Sequence, residues 1–314
     1  MKQISANPFI PALIILAIVI VSCRNPMGVQ PLDEAPTRGN IRISVDESFQ
    51  LLYDTQLYTF ESLYTDAKIA ASYKPEVEVL DDFMKDSVRT IVLTRDLTKE
   101  EKEYLLTKKF VARTTKVAHD ALALIINPLN PDTTIMEKQF ADILRGKITN
   151  WNDLNPKSAE KPINVVFDNN KSGNVRYFRE KFEITGNFPS NCFAVNSNEE
   201  VINYVKNNPS ALGIISVNWV SDKQDSISER FLESVRIMEV GTDPKNFCKP
   251  YQGYIAERSY PFCRDVYMIS RETFSGLGTG FVSFVAGDQG QRIILKSGLV
   301  PATMPVRLIE IRKD

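Results

Sequence analysis

Histidine is nearly absent from this chain of 314 residues: there is one, His119. Cysteine is sparse too, at four residues. None of the Cys spacings looks like a zinc site. The sequence holds no nucleophile elbow, no Walker loop and no His-Glu-x-x-His. A lone His in an apolar-flanked stretch reads as structural, so an enzyme is not expected. A basic excess is also missing. Thirty-eight Lys and Arg stand against 39 Asp and Glu, a net charge of −1, which leaves no electrostatic footprint for nucleic acid. No internal repeat or low-complexity tract is visible. The length suits two ordinary domains.

The N-terminus carries an address. Lys2 precedes an apolar run from Ile10 to Val21, shorter than the roughly 20 residues a spanning helix needs but suited to a secretory signal. The run ends Val21-Ser22-Cys23, which resembles a bacterial lipobox, where cleavage leaves the Cys as a lipid-bearing N-terminus. Residues 1–23 are therefore read as a lipoprotein signal peptide. Cys23 is the lipidation site, and the chain belongs in the bacterial cell envelope, on the periplasmic side, held to a membrane through that lipid. Residues 24–39, rich in Pro, Gly and charge, read as a flexible tether. Cys192, Cys248 and Cys263 remain. An exported compartment permits a disulfide, the odd count leaves at least one unpaired, and spacing does not fix the connectivity.

The body alternates strands and helices, which points to α/β layers with mostly parallel pairing. Strands are expected near 41–45, 68–73, 88–94, 110–116, 121–126, 163–167, 211–217, 235–240, 264–270 and from Val300 toward Ile311. Helical spacing runs through Phe49, Leu52, Tyr53, Leu57 and Phe60, with acidic Asp46 and Glu47 at the start where the macrodipole favours them. Thr98 with Glu101 and Ser197 with Glu200 fit capping boxes. Gly276-x-Gly-x-Gly280 looks like a glycine-rich phosphate loop, but no strand leads into it, and it reads as the entry to a helix over 281–286.

The most informative stretch is Ile163 to Phe178. A buried strand over 163–167, a polar turn over 168–172 and a helix opening near Gly173 present unpaired N–H groups, a Ser hydroxyl and Asn amides to an anion. The ordinary reading is a helix cap by Ser172 or Asn174. The functional one is half of a small-anion site.

Five stretches in order carry a family resemblance: Thr94-Arg-Asp-Leu-Thr-Lys-Glu-Glu101, Ala121 to Pro128, Gly146-Lys-Ile-Thr-Asn-Trp151, Tyr260-Pro-Phe-Cys-Arg264, and Gly290-Gln291 with Gly298-Leu-Val-Pro301. The chain resembles the PstS-like phosphate-binding proteins of ABC transporters, type II periplasmic binding proteins. The resemblance implies an α/β fold of two lobes, each a mixed sheet flanked by helices, joined by two crossing strands near 117–125 and 260–268. Lobe I would be 40–120 plus 265–314, and lobe II 122–262. The ligand would be a small oxyanion, phosphate first, held without metal or cofactor by Ser48, Phe49, Thr94, Arg95, Asp168, Ser172, Gly173 and Asn174. The partners implied are an ABC-transporter permease and, through Cys23, a membrane, with the protein a monomer. The chain departs from the family pattern at three points. Phe167-Asp168 stands where many members have an Arg, Asn174 replaces a Thr, and the turn after the second strand reads Tyr73-Lys-Pro-Glu76. A sensor, a scavenger or a degenerate module without a transport role shares most of these features.

Overall fold

A computed structural model of the chain describes residues 33–158, 160–221 and 226–305. The signal segment and Cys23, most of the tether, and the tail beyond residue 305 lie outside the described residues.

Among the described residues, ten strands are joined through one long strand. In the first half of the sheet β1 (Gly39–Asp46) lies between β2 (Ala67–Lys74) and β3 (Thr90–Leu93), all parallel. Next comes β12 (Cys263–Ser270), antiparallel to both β3 and β4 (Arg113–Ile126). In the second half β8 (Ala211–Ser216) is antiparallel to β4, and β6 (Asn164–Phe167) is parallel both to β8 and to β7 (Cys192–Ala194). Strand β4 changes partner at one point: Ala121 pairs with Cys263 of β12, and Leu122 with Ser216 of β8. The segment before β12 crosses beside it, with Leu122 N donating to the Phe262 carbonyl (2.9 Å) and the Tyr260 hydroxyl to the Leu122 carbonyl (2.9 Å). Helices flank both halves, so the molecule is a two-lobe α/β fold with mixed sheets.

Two strands expected near 110–116 and 121–126 are one. The polar residues between the two ranges stay in the strand because each is paired across the ladder: His119 Nδ1 lies 2.6 Å from Asp265 Oδ1, and Asp120 bonds Arg264 of β12. The strand expected over 235–240 is instead split at buried Met238. Arg236–Ile237 (β9) pairs with β4, while Glu239–Asp243 (β10) joins a separate sheet with Thr134–Met136 (β5) and Asn246–Cys248 (β11). Val300–Pro301 (β13) pairs with β4 at His119 and Ala118.

Aromatic packing fixes the second lobe. Phe178 sits 5.0 Å from both Phe140 and Phe262, ring centre to ring centre, and all three are fully buried. Phe178 is on the helix over Gly173–Lys181 (α6), so this cluster sets where that helix begins.

The glycine-rich run has a structural use. The helix over Leu277–Ala286 (α10) starts four residues earlier than expected, because Glu34 accepts from Leu277 N and Glu272 from Gly278 N and Thr279 N. Glu34 also takes both oxygens to Arg89 at 2.8 Å. Residues 33–38, within the stretch read as tether, are thus docked on the first lobe. A Cβ on Gly280 would run into the Pro36 carbonyl, so only Gly fits there. Gly280→Ala is expected to release residues 33–38 while leaving the sheets intact. Hydrogen exchange would show faster amides over 33–38 with unchanged protection in β4.

Candidate functional site

The site is built from chain turns that face each other where the lobes meet. In the first lobe, β1 ends at Asp46, whose Oδ1 accepts from Ser48 N (3.0 Å) and caps a 3₁₀ turn over Glu47–Phe49. The Ser48 carbonyl reaches the second lobe, accepting from Trp219 Nε1 (2.9 Å) and Asn218 Nδ2 (3.1 Å). After β2, Pro75 starts a helix over Glu76–Met84 (α2) and points Glu76 inward, 3 % exposed. After β3 comes buried Thr94.

In the second lobe the polar turn after β6 does what its sequence implied. Ser172 caps α6, accepting from Val175 N (3.3 Å) and donating to Asp168 Oδ1 (2.7 Å). Gly173 and Asn174, the first residues of α6, are buried. A Cβ on Gly173 would stand 2.6 Å from Thr94 Oγ1, 2.8 Å from Glu76 Oε2 and 3.0 Å from Asp46 Oδ2. The first turn of α6 therefore meets the first lobe edge-on, and the missing side chain permits it.

A buried cation ties these turns to the crossing strands. Arg264 of β12 is 4 % exposed. Its Nε donates to Asp120 Oδ2 (2.8 Å), its Nη1 to Asn174 Oδ1 (2.6 Å), and its guanidinium lies 5.6 Å from the Phe49 ring centre. Three buried donors here make no hydrogen bond among the described residues: Ser48 Oγ, Asn174 Nδ2 and Arg264 Nη2. The acceptors Asp46 Oδ2, Asn198 Oδ1 and Asn218 Oδ1 are likewise unpartnered. Contacts link them: Arg264 holds Asn174 and covers Phe49, Ser48 precedes Phe49 and its carbonyl accepts from Asn218, Asp46 abuts Gly173, and Asn198 donates to Glu47, next to Asp46. Buried polar groups are normally satisfied, so a concentration of unsatisfied ones around a helix N-terminus marks a place for a polar ligand.

The charges around it are mostly acidic and mostly perturbed. Burial, reinforced by the nearby Glu76 charge, lifts Asp46 from 3.8 to about 7. Burial lifts Asp168 to about 6, against the Ser172 bond and the Arg264 charge. Glu47 goes to about 8 through burial and the Asp168 charge, although it accepts from Asn198 N and Nδ2 at the start of the helix over Asn198–Asn207 (α7). Burial pushes Glu76 the same way, but bonds from Arg176 and Thr94 outweigh it and hold Glu76 below the usual carboxylate range.

Of the residues named from sequence, Ser48, Phe49, Thr94, Asp168, Ser172, Gly173 and Asn174 come together here. Arg95 lies alongside with its guanidinium engaged: both Nη atoms donate to Glu101 at 2.7 Å. Lys171, considered as a spare cation, pairs with Glu78 at the exposed rim (3.0 Å). Cys23 is outside the described residues, and Cys192, Cys248 and Cys263 are free thiols. Sequence reasoning missed Arg264 and Arg176, and it gave Glu76 only as a departure. Arg264 lay inside a quoted motif, where a charge within an apolar strand was the available signal. Among the described residues no Asp, Glu, His and Cys group could hold a metal, and no helix is long and apolar enough to cross a membrane.

Residues 32–289 match the family model of the PBP superfamily domain, and the chain belongs to that superfamily, in its PstS-like group. It is 23 % identical over 257 residues to the phosphate-binding protein PstS of Borreliella burgdorferi, covering 79 % of this chain and 85 % of that one. The Staphylococcus aureus PstS is 22 % identical over 238 residues, 73 % of this chain and 68 % of that one. Among solved structures, a Clostridium perfringens protein described as a phosphate ABC transporter substrate-binding protein with bound phosphate superposes with a TM-score of 0.72 at 23 % identity, over 84 % of this chain and all of that one. An ABC-type phosphate transport receptor from Vibrio cholerae gives 0.64 at 22 % identity, over 85 % of this chain and all of that one. The family is one of binding proteins, not enzymes.

Two outcomes are expected. Gly173→Ala places a methyl against Thr94, Glu76 and Asp46. It should leave each lobe folded but hold them apart, read as faster exchange of the Val77 amide, which donates to the Lys171 carbonyl (3.2 Å) across the lobes. The second concerns pH. Asp46 is raised in the fold, so its contribution to stability is complete below its unfolded value of 3.8 and is lost as pH rises toward about 7. Asp46→Asn removes that loss, so its melting temperature relative to the parent should climb between pH 4 and 7. A flat difference across that window would contradict the assignment.

Proposed function

We propose that this chain captures a small tetrahedral oxyanion, inorganic phosphate, between its two lobes and presents it to the permease of an ABC transporter. In this reading Cys23 carries the lipid that holds the protein at the membrane, and the protein acts as a monomer. The lobes divide at the crossing strands, 40–120 with 265–314 on one side and 122–262 on the other. The supporting observation is the set of buried, unpartnered donors drawn from both lobes and the crossing: Ser48 Oγ, Asn174 Nδ2 and Arg264 Nη2. The names of the relatives agree with it. Neutral donors, one guanidinium and the start of α6 suffice to hold such an anion without a metal. The ligand favours closure because its contacts to both lobes exist only in the closed form.

The carboxylates set a condition on the ligand. Above about pH 7, where Asp46 and Asp168 carry charge, a fully ionised anion meets their repulsion, whereas one that brings a proton can donate it to an acceptor such as Asp46 Oδ2. Phosphate should therefore be preferred over sulfate.

Calorimetric titration of the chain, stripped of carried-over ligand, tests this. Saturable one-to-one phosphate binding is expected. Loss of a hydrogen bond to a charged partner costs about 1.5–3 kcal/mol, so Ser48→Ala and Asn174→Ala should each weaken binding by roughly 10- to 100-fold. Binding that is indifferent to both substitutions would place the ligand elsewhere.

A further inference from the structure

Glu76 comes from the first lobe, yet its carboxylate is surrounded as a bound oxyanion would be. Oε2 accepts from Thr94 Oγ1 (2.5 Å), Thr94 N (3.3 Å) and Arg176 Nη2 (3.1 Å), and Oε1 accepts from Arg176 Nε (2.5 Å). Arg95 Nε stands 3.9 Å from Oε1. Oε2 also lies against Gly173, 2.8 Å from the point its Cβ would occupy. A backbone N–H, a hydroxyl, a guanidinium fork and the positive end of a helix are the standard means of holding an anion, and Arg176 and α6 belong to the opposite lobe. The neighbouring residues continue the bridge: Val77 N donates to the Lys171 carbonyl (3.2 Å), and Lys171 Nζ pairs with Glu78 (3.0 Å). The first turn of α2 is thus seated in the second lobe as a unit.

We infer that Glu76 is a resident anion: its carboxylate draws the two lobes together by itself, and a free oxyanion has to compete with it. The competition rests on the oxyanion reading above; the closure does not. Neither Thr94 nor Arg176 can serve a free anion while Glu76 holds it. The fraction of molecules with Glu76 withdrawn then scales the apparent affinity, because a ligand that binds only a minor form binds more weakly in proportion to its rarity. In effect Glu76 sets a concentration threshold for capture.

The test uses the full chain, depleted of phosphate, as the parent and as Glu76→Gln and Glu76→Ser. Hydrogen exchange is read at the Val77 amide and at the Asn198 amide, which donates to Glu47 across the lobes (3.2 Å). Both variants should exchange at these amides at least about tenfold faster than the parent, with β4 protection unchanged as the folding control. Arg176→Ala, on the other lobe, should act the same way and covers the case in which a Glu76 variant fails to fold. Titration with inorganic phosphate should show Glu76→Ser binding about tenfold more tightly than the parent. Unchanged exchange in every variant, or a parent already as fast as they are, overturns the inference. So does weaker phosphate binding in Glu76→Ser with exchange unaltered, which would make Glu76 a ligand contact. Faster exchange with no phosphate binding by any form upholds the closure by Glu76 and overturns the phosphate reading instead.

Discussion

The interaction on which the site depends is the buried ion pair of Arg264 with Asp120. The two residues lie on the two segments that cross between the lobes, and both are almost wholly removed from water. A pair in such a place contributes little net stability but is costly to break, about 3–5 kcal/mol when one partner is lost. Its effect is positional. Ser216 donates to Asp120 Oδ1 (2.9 Å) and fixes the carboxylate from β8, so the guanidinium has one orientation. In it Nη1 holds Asn174, the ring of Phe49 lies beneath, and Nη2 is left directed at neither. Burial raises Asp120 above the usual carboxylate range, with Arg264 and its hydrogen bond acting against the rise.

From that fixed point the lobes approach each other through a repeated device. Each of two helices in the second lobe, α6 and α7, receives at its N-terminus a carboxylate from the first: Glu76 beside Gly173, and Glu47 on Asn198. Helix N-termini favour negative charge, so the first lobe supplies acids where the second supplies dipoles. Trp219 and Asn218 add neutral bonds to the Ser48 carbonyl. Burial, joined by repulsion from neighbouring carboxylates at Asp46 and Glu47, explains why Asp46, Glu47 and Asp168 resist ionisation, and how a site for an anion is reconciled with so many acids. Most are neutral or already partnered near pH 6.

The alternation of strands and helices was legible because its period depends on local patterning. So was the α6 turn, whose strand, Ser cap and glycine form one continuous stretch. Where the reading failed, a pairing partner distant in sequence decided the matter. The strands read near 110–116 and 121–126 are one strand, its polar His119 and Asp120 held in the ladder by Asp265 and Arg264, more than a hundred residues away. Met238 switches sheets for reasons visible only in three dimensions. Arg95 fitted the expected place for a cation, but Glu101, recognised correctly as half of a capping box, also binds that guanidinium. Glu76 was seen only as an anomaly in a turn, since nothing local reveals that Arg176 faces it. The glycine-rich run invited a phosphate reading that the docking of Glu34 and Pro36 absorbs.

The central claim is that a tetrahedral anion is held between the lobes by Ser48, Asn174 and Arg264. The most direct measurement is a crystal structure of the protein grown with arsenate, in which the arsenic is located by its anomalous signal. The account predicts one arsenic site, with oxyanion oxygens within hydrogen-bond distance of Ser48 Oγ, Asn174 Nδ2 and Arg264 Nη2 at the start of α6, and with Glu76 turned away from Thr94. Arsenic outside the cleft, or none in it with the lobes closed on Glu76 at saturating arsenate, would contradict it.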